Sequence, residues 1–183
     1  MILYAIILIA IGIAADNLMI AGLTVSKTAS ISNKKWIIIL LLLFIVQYQM
    51  LLLGKTVGGW AHYLTGSNPN LLGMGLLLSV TINICRELFQ QKVTHPVISY
   101  TPDNLLLLAF STSMYVFLFS VAVQWLNVHD QRLNYWLAGA ILIFLNAGII
   151  LGRLQLYKPL RFIRFTCTGM LLAGTLILIL KTL

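Results

Sequence analysis

The sequence predicts an all-α polytopic membrane protein, a single transmembrane domain over 1–183 with six transmembrane helices arranged as two inverted three-helix repeats. Three observations predict it. Hydrophobic residues make up 60% of the chain and charged residues only 9%, with a mean hydropathy of +0.97, whereas a soluble domain carries about 25% charged residues. Apolar runs fall at about 2–25, 36–53, 71–89, 104–126, 134–152 and 163–180, each close to the roughly 20 residues that cross a bilayer as a helix. The first three runs also lay over the last three in order. This composition excludes a water-soluble enzyme, a secreted disulfide scaffold and a disordered tail.

Helices are expected because each backbone polar group in hydrocarbon must be satisfied within its own segment, and the even alternation of a membrane barrel is absent. The first run lacks a basic leader and reads as a full span rather than a cleavable signal. Ser-Lys-Thr-Ala-Ser at 26–30 closes it, and Gly-Ser-Asn-Pro at 66–69, Thr-His-Pro at 94–96 and Thr-Pro-Asp at 101–103 punctuate the next connections. Pro159 marks the fifth connection. The second run can extend past Leu53 through Lys55, Gly58 and Trp60 towards Tyr63 as a long tilted helix. Trp60, Tyr63, Tyr100, Trp125, Tyr135 and Trp136 fall near span ends, where amphipathic rings prefer the headgroup zone.

The net charge of +8 does not point to nucleic acid, because the basic residues are scattered over short connections with no stripe beside stacking aromatics. It sets topology instead. Lys27, Lys34, Lys35, Arg86, Lys92, Arg153, Lys158, Arg161 and Arg164 are assigned to the odd-numbered connections, against Lys55, Arg132 and Lys181 on the other side. Nine against three places the odd connections in the cytoplasm and both termini outside it. Cys85 and Cys167 lie in apolar runs and read as buried free thiols.

The duplication rests on three overlays. Ala10–Val25 lies over Ala109–Gln124 at an offset of 99, Leu52–Lys55 over Ile150–Arg153 at 98, and Gly73-Met74 over Gly169-Met170 at 96. The repeats are about 1–90 and 104–183. An odd number of spans per half inverts one half relative to the other, a plan common among secondary transporters, with the site near midplane.

The chain has four acids: Asp16, Glu87, Asp103 and Asp130. Asp103 and Asp130 stand among loop residues, and Glu87 closes the third span beside Arg86, where an ion pair is as good an expectation as a role. Asp16 differs, lying mid-span between Ile11-Gly-Ile and Leu18-Met-Ile. A carboxylate at the bilayer centre costs about 2.5–3.5 kcal/mol on insertion scales, so it needs a cation, a proton or a polar partner. Asn17, Gln47, Gln49, Thr81, Asn83, Ser111, Thr112, Ser113, Tyr115 and Asn146 lie at similar depth. A set of oxygens around one carboxylate suits a hard divalent ion such as manganese or magnesium. Asp16 and Asn17 point about 100° apart on one helix and cannot both face one small ion unless the helix is distorted. His62, His95 and His129 are all near loops, which argues against a midplane zinc site. No hydrolase elbow, zincin or phosphate-loop motif is present, so no enzymatic activity is expected.

The chain resembles the putative manganese efflux pump family (MntP-type), small bacterial inner-membrane exporters built from two three-helix repeats. Ala10-Ile-Gly-Ile-Ala-Ala-Asp16-Asn17 resembles the first-helix aspartate signature, and Val46-Gln47 through Met50 to Gly54 the second-helix pattern. Glu87 and Phe89 match the third-helix close, Ala109-Phe-Ser-Thr-Ser113 the start of the fourth-helix signature, and Gly148–Arg153 the fifth-helix close, with Gly169 and Gly174 in the last helix. The chain departs from the family where Tyr115 stands for the second aspartate and Leu51 for a proline, and no acid is found for the sixth helix. The resemblance implies a divalent cation exporter in the bacterial inner membrane. Its expected cation ligands are Asp16, Asn17, Gln47, Asn83, Ser111 and Thr112, then Tyr115 and Glu87, with no bound cofactor and with the lipid bilayer, the cargo ion and protons as partners. A non-transporting accessory or assembly paralogue and an exporter of a small solute such as an amino acid are the alternatives.

Overall fold

The computed structural model describes residues 2–26, 33–64, 68–90, 102–126, 131–154 and 156–182. They form six helices: α1 Ile2–Ser26, α2 Asn33–Leu64, α3 Pro69–Gln90, α4 Pro102–Trp125, α5 Gln131–Arg153 and α6 Tyr157–Thr182. There is no strand among the described residues. Four apolar stretches, Ile37–Ala61, Pro69–Leu88, Asn134–Arg153 and Phe162–Leu180, are long enough to cross a membrane. The apolar stretches described in the other two, Leu3–Leu18 and Ala109–Trp125, are shorter, but they belong to helices of 25 and 24 residues. At 1.5 Å per residue such helices reach about 36 Å, more than the hydrocarbon core.

The helices start and stop where local chemistry dictates. α3 and α4 open on Pro69 and Pro102, a position where the missing N–H is not needed and φ is already set for the helix. Pro159 does the same work inside the first turn of α6, so it lies in the helix and not in the connection expected of it. α2 runs through Lys55 and Gly58 to Leu64, the longer of the two lengths open from sequence.

Burial divides the helices into two kinds. α1 is central: Ala5, Ile6, Ile9, Ala10, Ile13, Ala14, Ala15 and Leu18 are buried along it, and α4 buries Ala109, Val116, Phe119 and Ala122. The other helices present large apolar side chains outward, among them Ile38, Leu53, Ile82, Ile143 and Leu176, as a lipid-facing surface requires and a water-facing one does not tolerate. Tyr4, Trp60, Tyr63, Tyr135 and Trp136 are exposed at the end of the bundle away from the odd-numbered connections, which forms an interfacial aromatic girdle.

Packing crosses between the sequence halves. α1 packs mainly on α5 and α6, and α4 packs mainly on α2 and α3. Direct α1·α4, α2·α5 and α3·α6 contacts are slighter. Glycines make the close crossings possible. A methyl group at Gly54 would lie 2.5 Å from Phe117 O and 2.8 Å from Ser120 Cβ, and one at Gly58 would lie 3.0 Å from Val121 Cα. On the other side Gly148 faces Leu18 O and Ala21 Cβ, and Gly152 faces Gly22. Adding 99 to Leu18, Ala21 and Gly22 gives Phe117, Ser120 and Val121, so the packing equates Gly54 with Gly148 and Gly58 with Gly152. That differs by one helical turn from the alignment of Gly54 on Gly152, because the close approach of backbones, and not the adjoining Lys55 and Arg153, decides register. Gly169 has open space around it and takes no such part, although Gly73 packs on α4. Ser120 Oγ donates to Leu51 O at 2.7 Å and Trp125 Nε1 to Gly58 O at 3.1 Å, tying α4 to α2 at the same seam.

Candidate functional site

Asp16 is the fifteenth residue of α1 and is buried with 8% of its surface exposed. It does not stand alone in hydrocarbon. Arg164 of α6, also buried at 4% exposure, donates from Nη2 to Asp16 Oδ1 at 2.7 Å. The same Nη2 lies 3.6 Å from Glu87 Oε2 near the end of α3. Glu87 in turn accepts a hydrogen bond from Tyr115 of α4 at 2.5 Å. One acid, one guanidinium, a second acid and a phenol from four helices therefore form one chain. It sits in the half of the bundle nearer the odd-numbered connections.

Arg164 thus belongs to the bundle interior and not to the fifth connection, where its sequence position beside Arg161 and Lys158 placed it. The helix begins at Tyr157, which draws Arg164 two turns inside it. The positive bias becomes eight against three and keeps its sign. Glu87 meets Arg164 and Tyr115, while its sequence neighbour Arg86 is exposed.

Asn17 turns to the other side of α1. Its Oδ1 accepts from Nε2 of Gln47, a residue of α2 with no exposed surface. The divergence follows from the 100° step between successive residues on one helix. Gln47 Oε1 is buried with no partner among the described residues, and so are Nε and Nη1 of Arg164. Orphaned polar atoms of this kind are costly in an apolar surrounding.

The remaining expected ligands are placed less closely. Thr112 is buried and its Oγ1 donates to Ala109 O at 3.1 Å; Ser113 and Thr81 likewise bond to carbonyls of their own helices, the usual way a hydroxyl is satisfied in an apolar helix. Asn83 and Ser111 are exposed. They stand one helical turn from Glu87 and Tyr115, on the same faces of α3 and α4. Asn146 is exposed and bonds to Leu142 O in its own helix, and Gln49 is exposed on α2. Asp103 falls in the first turn of α4. Asp130, His95, His129, Lys27, Lys92 and Tyr100 lie outside the described residues. Cys85 is half-buried and Cys167 buried, both as free thiols.

Among the described residues no group of three or more His, Cys, Asp or Glu side chains is placed to hold a metal ion. Among the described residues, Asp16 and Glu87 are the two acids brought to one group, the Arg164 guanidinium. A separate groove of about 580 Å³ between α1 and α5 is lined by Ile7, Ile11, Trp136, Ile143 and Phe144 among others, with no carboxylate or cation, and offers no chemistry.

A six-helix membrane bundle whose buried Asp16–Arg164 pair reaches the half-exposed Glu87 defines a membrane protein of the transporter class. The chain belongs to the family described as putative manganese efflux pump (Mntp), whose model matches residues 30–181. That description is of a transporter and not of an enzyme. The match begins beyond α1, so Asp16 is outside it while Gln47, Glu87, Tyr115 and Arg164 are inside. No curated protein and no solved structure matches the chain.

Proposed function

We propose that this protein exports a divalent cation, manganese or one of similar size and hardness, across the bacterial inner membrane by alternating access, with both termini outside the cytoplasm. Asp16 is the central ligand. The observation that carries the reading is a carboxylate buried on the central helix of an acid-poor bundle, within reach of a second carboxylate, Glu87, through one shared guanidinium nitrogen. Oxygens of Asn83, Ser111, Thr112 and Tyr115 lie on the α3 and α4 faces that border the cluster, and the amide pair of Asn17 and Gln47 flanks it across α1.

The pattern of packing supports a division of labour between two bodies that are not the two repeats, taken as about 1–90 and 104–183. α1, α5 and α6 move as one unit, and α4, α2 and α3 as the other, each held by its glycine crossings. Asp16 and Arg164 belong to the first body, Glu87, Tyr115 and Gln47 to the second. Rocking of the bodies therefore opens and closes the contacts Arg164–Glu87 and Asn17–Gln47, which lets protons or water exchange at the acids. The test is the manganese content of cells under manganese stress. Cells making the wild-type protein hold less of the metal than cells making an equally abundant Asp16→Asn protein; equal contents remove Asp16 from the mechanism.

A second reading has one observation in its favour. The Arg164 guanidinium already neutralises Asp16, while Tyr115 stands where the resemblance implies an acid. A paralogue that keeps the fold as a membrane assembly partner and moves no ion needs nothing more. It predicts no manganese flux in liposomes, whatever the state of Asp16.

A further inference from the structure

We propose that Arg164 is a tethered counter-ion of the cation site: in the cargo-free protein its guanidinium holds the place between Asp16 and Glu87 that the cargo cation takes, so that loading is an exchange of one positive group for another. The proposal rests on the cation-export reading and deepens it.

The geometry is that of an exchangeable pair. A guanidinium can bind a carboxylate through two parallel N–H bonds, the arrangement that gives such pairs their strength and rigidity. Arg164 instead reaches Asp16 by Nη2 alone, shares that nitrogen with Glu87 at the longer distance of 3.6 Å, and leaves Nε and Nη1 without partners among the described residues although the side chain is only 5% exposed. A pair serving as a permanent brace has no reason to leave most of its donors unmatched in an apolar interior.

Charge points the same way. With both acids ionised, the cluster carries one net negative charge while Arg164 is in place. A divalent cation added beside the guanidinium makes it positive by one; a divalent cation that displaces the guanidinium makes it neutral. Glu87 is half exposed, but Asp16 and Arg164 are buried, and at that buried end of the cluster the neutral arrangement is favoured over either charged one. Displacement has a direction available, since Arg164 lies two turns from the start of α6 and a long side chain there can carry its head towards the interface. Tyr115 keeps its phenol on Glu87 and holds that carboxylate in place as the guanidinium leaves.

The consequence is a competition that tunes affinity. An internal cation that occupies the acids most of the time lowers apparent cargo affinity by the fraction of time they are free. Removing it tightens binding, while the emptied acids lose the group that expels the cargo and resets the carrier.

The experiment measures manganese binding by titration of the purified protein in detergent, with cellular manganese export read alongside. Arg164→Gln is expected to bind manganese about tenfold more tightly than wild type and to export it more slowly. Arg164→Lys keeps the positive charge and is expected to bind as wild type does. Should Arg164→Gln not fold, Arg164→Met, which keeps the side chain's length and removes its charge, decides: it is expected to bind manganese about tenfold more tightly than wild type, and unchanged binding overturns the proposal. Equal or weaker binding by a folded Arg164→Gln also overturns it. If wild type exports manganese but Arg164→Gln gains no affinity, only the counter-ion role falls; if wild type neither binds nor exports manganese, the export reading falls with it.

Discussion

At the residue scale the informative groups are Asp16, Asn17, Gln47, Glu87, Tyr115 and Arg164. Removing the Asn17 side chain by Asn17→Ala leaves both ends of the Gln47 amide without partners in the interior. The expected cost is about 1–3 kcal/mol, seen as a lower melting temperature in detergent, while Gln49→Ala on the exposed face of the same helix leaves the melting temperature unchanged. Asp16 was legible in the sequence because an acid between apolar residues is conspicuous in a chain with four acids, and its divergence from Asn17 follows from helix geometry alone. Arg164 was not. It sits among three other basic residues near a turn, where positive charge is ordinary, and a count by loops absorbs it. The signal that exposes it is its immediate setting: Phe162-Ile163 and Phe165 surround it, at the start of an apolar run. A buried acid needs a cation, a proton or a polar partner, and Arg164 is the basic residue that the start of this run carries inward.

At the scale of elements, glycines govern how closely helices meet. Gly148→Val forces α5 off the backbone of α1 and Gly54→Val forces α2 off α4. Each is expected to destabilise by about 1–3 kcal/mol or more, read as a loss of folded protein and a lower midpoint in thermal unfolding. Gly169→Ala meets open space and is expected to stay within about 0.5 kcal/mol of wild type. Helix positions were readable from apolar run length and from Pro69 and Pro102. Pro159 was misleading because a proline marks a helix's first turn as readily as a connection. Likewise Gly54 and Gly152 invite alignment through their basic neighbours, whereas the four-residue spacing shared by Gly54, Gly58 and Gly148, Gly152 records the true seam. Sequence overlay weighs letters equally, but packing weighs the atoms that touch.

At the scale of the whole molecule, the crossed packing makes each central helix the property of the opposite half. In the proposed cycle, residues that pair across α1·α5 stay together and those that pair across the slighter contacts separate. A disulfide engineered between Asn17→Cys and Gln47→Cys, in a background with Cys85→Ser and Cys167→Ser, is expected to arrest manganese export until it is reduced. Free passage through the oxidised form contradicts the assignment of the two bodies. Orientation has its own test, since a reporter joined after Leu183 that is active only outside the cytoplasm should be active. None of this grouping was legible in the linear sequence, which suggests two halves that fold side by side, because the partners of α1 lie more than a hundred residues away.

The central claim is that Asp16 carries a divalent cation through the bundle, and flux of manganese into liposomes holding only the purified protein tests it most directly. The account predicts metal-dependent uptake by the wild-type protein and none by folded Asp16→Asn protein at the same density. Liposomes that stay empty with wild type, or fill equally with both, would contradict it.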